Sequence, residues 1–179
     1  MVMKISKFSA YAFVFLLSLM YLTPKINLYY FLENKLSEKS VVIDNEDIYD
    51  HGFSLSIHHA SINVKSIESA QIQDINVKVL GIYNSVSLKN ITLASVAANM
   101  IPTNIQEVYA SYSIFDPFHL NASAAGDFGD ATLSLGLLDG VLHIDLNPSK
   151  KMKSSYRQTL RNLKKSKEGV YTYDKTFKF

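Results

Sequence analysis

Residues 55–62 read LSIHHASI, residues 70–77 AQIQDINV and residues 86–93 VSLKNITL. Each stretch sets an apolar-x-apolar pair, two polar residues and a second apolar-x-apolar pair. Alternation at period two marks a half-buried strand, and the Val, Ile, Thr and Tyr of this block suit a pleated surface. The phase slips in the middle, however. On one uninterrupted strand the second apolar pair would point away from the first, because side chains alternate strictly along the pleat. Either a bulge at the polar pair restores the phase by inserting one residue and bends the strand, or a tight corner separates two short strands. The slot filled by His58-His59 is filled by Gln73-Asp74 and Lys89-Asn90 in the other two copies. The slot asks for a polar pair, and histidine is one way to supply it.

The same alternation extends on both sides, and no sustained helical spacing interrupts it between Val41 and Leu146. Strands are expected at 41–43, 53–64, 70–79, 85–94, 105–114, 118–125, 131–138 and 141–146. Asp116-Pro117 stops one of them, and Asp139-Gly140 is the strongest hairpin signal in the chain. Seven or eight strands predict a mainly β fold, a curved antiparallel sheet arranged as a β-roll or small sandwich.

Two different materials flank this block. Residues 8–22, FSAYAFVFLLSLMYL, carry no charge, with Lys4 and Lys7 before them and Pro24 and Lys25 after. Fifteen helical residues span only about 22 Å against a hydrocarbon core of about 30 Å, a gap that Ile5 and a snorkelling Lys7 narrow. A cleaved signal peptide fits the same pattern, but LMYLTPKI offers no small-x-small cleavage site. The expectation is an uncleaved N-terminal transmembrane signal anchor over 1–25, with Phe8, Phe13, Phe15, Leu16, Leu17 and Leu22 facing lipid. Lys4 and Lys7 orient it with the N-terminus in the cytoplasm. A juxtamembrane helix follows over 26–39, its Ile26, Tyr29, Tyr30 and Leu32 near the membrane surface.

The formal charge of +2 divides unevenly: +3 over 1–39, −9 over the β-domain at 40–149, and +8 over 150–179. In the last segment Met152, Tyr156, Leu160 and Leu163 share one face of a predicted basic amphipathic helix, and Tyr171 and Tyr173 begin an aromatic strand. Its cations, Lys150, Lys151, Lys153, Arg157, Arg161, Lys164, Lys165 and Lys167, are candidates for contact with an anionic membrane surface or an acidic partner. The alternative is a solvated helix that lays its apolar stripe on the sheet. Nucleic acid is not an expected partner for a domain carried across the membrane.

With no cysteine in the chain, thiolate chemistry and Cys-ligated metals are excluded. No phosphate loop, nucleophile elbow, zincin motif or calcium loop is present. Neighbouring His58 and His59 point to opposite faces of a regular strand and do not share an ion there. No catalytic, cofactor or metal site is predicted.

The anchor, the adjoining helix, strands such as VSLKNITL and the segment HLNASAAGDFGDATLSLGLLDGVLHIDLNPS resemble the type II secretion system protein N family. They are similar in style to AsmA-like envelope proteins and to the lipopolysaccharide-transport protein C. The resemblance implies a bacterial inner-membrane protein with a periplasmic β-domain. It further implies a non-enzymatic structural or assembly component of an envelope or secretion system, with envelope proteins as partners. The alternative is a lipid-binding or lipid-transfer module that uses an apolar sheet face.

Overall fold

The three related stretches become three consecutive antiparallel strands, and their pattern works because it reads the same in both directions. Antiparallel neighbours run oppositely, so only a palindromic motif sets apolar against apolar along its whole length. Leu55 pairs with Val77, Ile57 with Ile75, Ala60 with Ile72 and Ile62 with Ala70. On the next ladder Val77 meets Val86, Ile75 meets Leu88, Ile72 meets Ile91 and Ala70 meets Leu93. A fourth copy follows, in which Ile91 pairs with Ile105, Leu88 with Val108 and Val86 with Ala110.

The computed structural model describes residues 2–166 and 169–177, with side chains from residue 6 onward. Lys167, Glu168 and Phe179, and the side chain of Lys4, lie outside the described residues. The chain runs α1 (Val2–Leu22), α2 (Lys25–Ser37), β1 (Val41–Asp44), β2 (Asp47–Asp50), β3 (Ser54–Val64), β4 (Ile67–Val79), β5 (Tyr83–Leu93), β6 (Asn104–Ser113), β7 (Asp116–Gly126), β8 (Gly129–Gly136), β9 (Val141–Pro148), α3 (Lys150–Ser155), α4 (Arg157–Arg161), β10 (Lys164–Lys165) and β11 (Tyr171–Thr176). The fold is mainly β. Its strands join one 11-stranded sheet in the order β1-β3-β4-β5-β6-β7-β8-β9-β11-β10, with β2 also on β3. The described strands make one continuous antiparallel sheet.

The phase slip is resolved without the inserted residue that the sequence suggested. His58 pairs with Asp74 and Ala60 with Ile72, so the register is the same on both sides of His59. The neighbours break at the matching place: Gln73 and Asn90 are skipped between β4 and β5, and Asn90 and Gln106 between β5 and β6. On the outer edge β1 and β2 hold one register against β3 across Asn45-Glu46. The sheet thus carries a crease across the four strands β3 to β6 in step, continued at the edge between β1 and β2, and a ladder register shift lies beside Gln106 where the crease meets β7. Left-handed backbone makes the crease: Asn45, His59 and Asn90 have φ of 63°, 60° and 53°. Asn tolerates that conformation best among residues with a Cβ, and β-branched residues worst. His59→Asn should leave thermal unfolding unchanged or raise its midpoint, whereas His59→Val should cost about 1–2 kcal/mol. Equal stability of the two variants would remove this role for His59.

Two apolar clusters hold the molecule. The first gathers Leu55, Ile57, Ala60, Ile72, Ile75 and Ile91 with Tyr29 of α2, and Ile26 packs against it. Tyr29 and Ile26 thus pack on the sheet, and the Tyr29 hydroxyl donates to Glu46 at 3.1 Å. The second cluster joins Phe128 and Leu146 to Met152 and Leu160, with Tyr156, Leu163 and Tyr171 against it. This is the stripe expected of the tail. The expected single helix is instead two short ones, divided at Tyr156, whose φ of −120° and ψ of 36° leave the helical region. Ser149 caps the first through a bond from the Met152 N–H at 3.1 Å. Lys164 and Lys165 lie on a strand, and β11 is the aromatic strand, antiparallel to β9.

Candidate functional site

The registers give the sheet two chemically opposite faces. One cross-strand row reads Leu55, Val77, Val86, Ala110, Ala122, Leu133, Ile144 and Tyr173. The row beside it reads Ile57, Ile75, Leu88, Val108, Ala124, Ala131, Leu146 and Tyr171. On the reverse face the corresponding row is Ser56, Asn76, Ser87, Tyr109, Ser123, Thr132, Asp145 and Thr172. Solvent is expected on that second face.

The apolar face is covered unevenly. Over β3 and β4 it is buried in the first cluster, to which α2 contributes Tyr29, and at the far ends of β8 and β9 it is buried beneath α3 and α4. Between them Ala110, Tyr112, Leu120, Ala122, Leu133, Leu135, Leu142 and Ile144 are only half-buried and belong to neither cluster.

All six predicted anchor residues, Phe8, Phe13, Phe15, Leu16, Leu17 and Leu22, are exposed on α1. The helix meets the sheet end through its last turn, where the Tyr21 ring stands 5.3 Å from that of Phe53, edge to face. Gly52, at φ 81°, sits under Tyr21 so closely that a Cβ there would overlap the ring. The elbow into α2 is locked by a residue that sequence reasoning took only as a flanking charge. Lys25 is 3% exposed, and its ammonium donates to the carbonyls of Met20 at 2.5 Å and Thr23 at 2.7 Å. A cation there also complements the helix dipole. The Lys25 backbone N–H donates to Asp50 Oδ2 at 2.8 Å, and the Gly52 N–H to Asp50 Oδ1 at 2.8 Å. Burial raises the affinity of Asp50 for a proton, but the bonds from Gly52 and Lys25 and the Lys25 charge outweigh it, leaving the carboxyl below its ordinary value. The sequence signal that identifies this lock is a lysine directly after a proline at the end of an apolar helix.

Among the described residues no single helix is long and apolar enough to cross a membrane. Ser6–Leu22 passes by length and composition only together with Lys25–Ser37, as a pair bent by 55°. Of that pair, α2 buries Lys25 and Tyr29 in the sheet domain.

The predicted cations gather at the other end of the sheet. Lys153, Arg157, Arg161 and Lys165 surround a depression of about 400 Å³ floored by Leu160, Leu163 and Tyr171. Lys151 pairs with Asp127 at 2.7 Å, Lys164 lies 3.9 Å from Asp174, and Lys150 is exposed at the start of α3. The His58 and His59 rings stand 6.3 Å apart but turn to different carboxylates, and His119 and His143 lie on other strands. His58 bonds Asp74 across the ladder at 2.7 Å, and His59 stands 3.4 Å from Asp47 in the crease. His119 bonds Asp116 at 2.7 Å. His143 lies between Asp174 at 2.6 Å and Asp145 at 3.2 Å; the hydrogen bond to Asp174 is the main cause that raises its pKa above the ordinary value. Among the described residues no group of three or more His, Asp or Glu is arranged to hold a metal ion.

Compared with family models, curated proteins and solved structures, the chain matches none.

Proposed function

We propose that this protein is a non-enzymatic, membrane-anchored envelope component that holds lipid acyl chains against the open part of its apolar sheet face. The observation that carries the reading is the half-buried patch from Ala110 to Ile144, bounded by the first cluster on one side and by α3 and α4 on the other. A protein whose sheet served only as scaffold would gain by covering that patch, since apolar surface removed from water contributes about 25 cal/mol per Å². In this reading α1 is the anchor, with its N-terminus in the cytoplasm and the sheet in the periplasm of a bacterial cell.

The test is mass spectrometry of full-length protein extracted in detergent. Bound phospholipid should copurify, and the pair Leu133→Ser and Ile144→Ser should lose it while circular dichroism keeps the strand signal. Lipid-free wild-type protein would overturn the proposal. A second reading, assembly with another envelope protein, is favoured by β11. Among the described residues β10 pairs only with Tyr171 and Thr172, which leaves the outer edge from Tyr173 to Thr176 open for an added strand. Lipid-free protein recovered in a larger complex would favour it.

A further inference from the structure

We propose that the hairpin tips at the α1 end of the sheet form a second membrane contact, seated in the headgroup region of the bilayer that α1 enters. The inference rests on the reading of α1 as the anchor.

The connections at 51–53, 80–82, 114–115 and 137–140 lie at one end of the sheet. Ser54 pairs with Lys78, Tyr83 with Ser113, Ser113 with Asp116, His119 with Gly136 and Val141 with Thr176. Turns are ordinarily built from Gly, Asn, Asp, Pro and Ser. These present Leu80, Ile82, Ile114, Phe115, Leu137 and Leu138, all exposed, with Phe115 at 84% and Leu138 at 78%. The last turn of α1 packs on two of the same tips, Tyr21 against Gly52 and Phe53, and Met20 against Gly81. The exposed apolar helix and the exposed apolar tips therefore share one level.

Composition fixes the depth. Asp116 and Asp139 sit among the tips, bonded to His119 and to the Val141 N–H respectively. Carboxylates tolerate headgroups and not hydrocarbon, while exposed aromatic and aliphatic tips suit the interface. The opposite end is different in kind. It carries Lys65-Ser66, Asp127 and the cations of α3 and α4, beside the exposed Val42, Val64, Ile67, Val96 and Met100. Strands of 11 residues put it roughly 35 Å away. Seating the tips stands the sheet on the bilayer, and brings the open patch, through Tyr112, Leu120, Leu135 and Leu142, to the membrane surface.

Because the chain has no cysteine, single labels report cleanly. Phe115→Cys, Leu138→Cys, Lys65→Cys and Phe13→Cys, each in the full chain, carry a fluorophore in nanodiscs of phosphatidylethanolamine and phosphatidylglycerol with shallow doxyl-labelled lipid. Quenching is expected at 115, 138 and 13 and absent at 65. If 13 is quenched while 115 and 138 behave like 65, tip docking is wrong and the anchor stands. Tips shielded from aqueous quenchers but untouched by the doxyl lipid would mean a protein occupant and would also overturn the proposal. No quenching at 13 would remove the anchor itself, and tip docking with it.

Discussion

Lys25→Met should lower the stability of the α1–α2 elbow by about 2 kcal/mol and free α1 from the sheet end. The ammonium gives two bonds of 2.5 and 2.7 Å to carbonyls of Met20 and Thr23 that no helical N–H reaches. Bonds from a charged donor contribute about 1.5–3 kcal/mol each, and a carbonyl left unpaired in a buried elbow carries its own cost. Methionine matches the stem in length, so packing is kept and the loss is that of the charge. Asp50→Ala acts on the same joint from the other side by removing the acceptor of the Lys25 and Gly52 N–H groups. Because the two residues share one network, their effects should not add, and the double variant should unfold little earlier than the worse single. Melting of the full chain in detergent, followed by circular dichroism, reads the stability, and limited proteolysis at 23–25 reads the release of α1. An unchanged melt together with an unchanged cleavage rate would deny the elbow any role.

The sheet was legible because its signal is local and periodic. Ile57, Ile72, Leu88 and Ile105 occupy equivalent slots in the four copies, and hydrophobic class alone aligns them. The fourth copy escaped notice because Thr103 stands where the others carry an apolar residue. The crease was legible as a phase slip but not as geometry. That four strands break in step is a property of their mutual register, which no single strand carries. β2 was missed because Asp47, Tyr49 and Asp50 leave Ile48 as its only apolar pairing residue, and it exists by completing the β3 edge. The tail was over-read as one long helix, since Met152, Tyr156, Leu160 and Leu163 keep helical spacing through a break at Tyr156. The functional surface was the least legible part. The alternation of Leu133, Leu135, Leu142 and Ile144 assigns a face, but whether a helix covers that face depends on where α2 and α4 end.

That covering is measurable, because the same substitution has different costs on the two parts of the apolar face. Ile75→Ala, beneath the first cluster, should destabilise by about 2–5 kcal/mol, since it loses transfer energy and leaves a cavity that packed neighbours fill only in part. Leu133→Ala, on the half-buried patch, should cost about 1 kcal/mol in lipid-free protein, because water already reaches the side chain and no cavity remains. Lipid changes the second figure and not the first. Acyl chains lying on Leu133 remove its remaining surface from water, so in lipid-loaded protein the cost of Leu133→Ala should rise toward that of a covered residue. Melts of both variants, before and after exhaustive delipidation, give the four values. If Leu133→Ala costs as much without lipid as Ile75→Ala does, the patch is covered by the protein itself and the acyl-chain reading fails. A cost that is small in both states would leave the patch open but unoccupied, and would move the weight of the function to the open edge of β11.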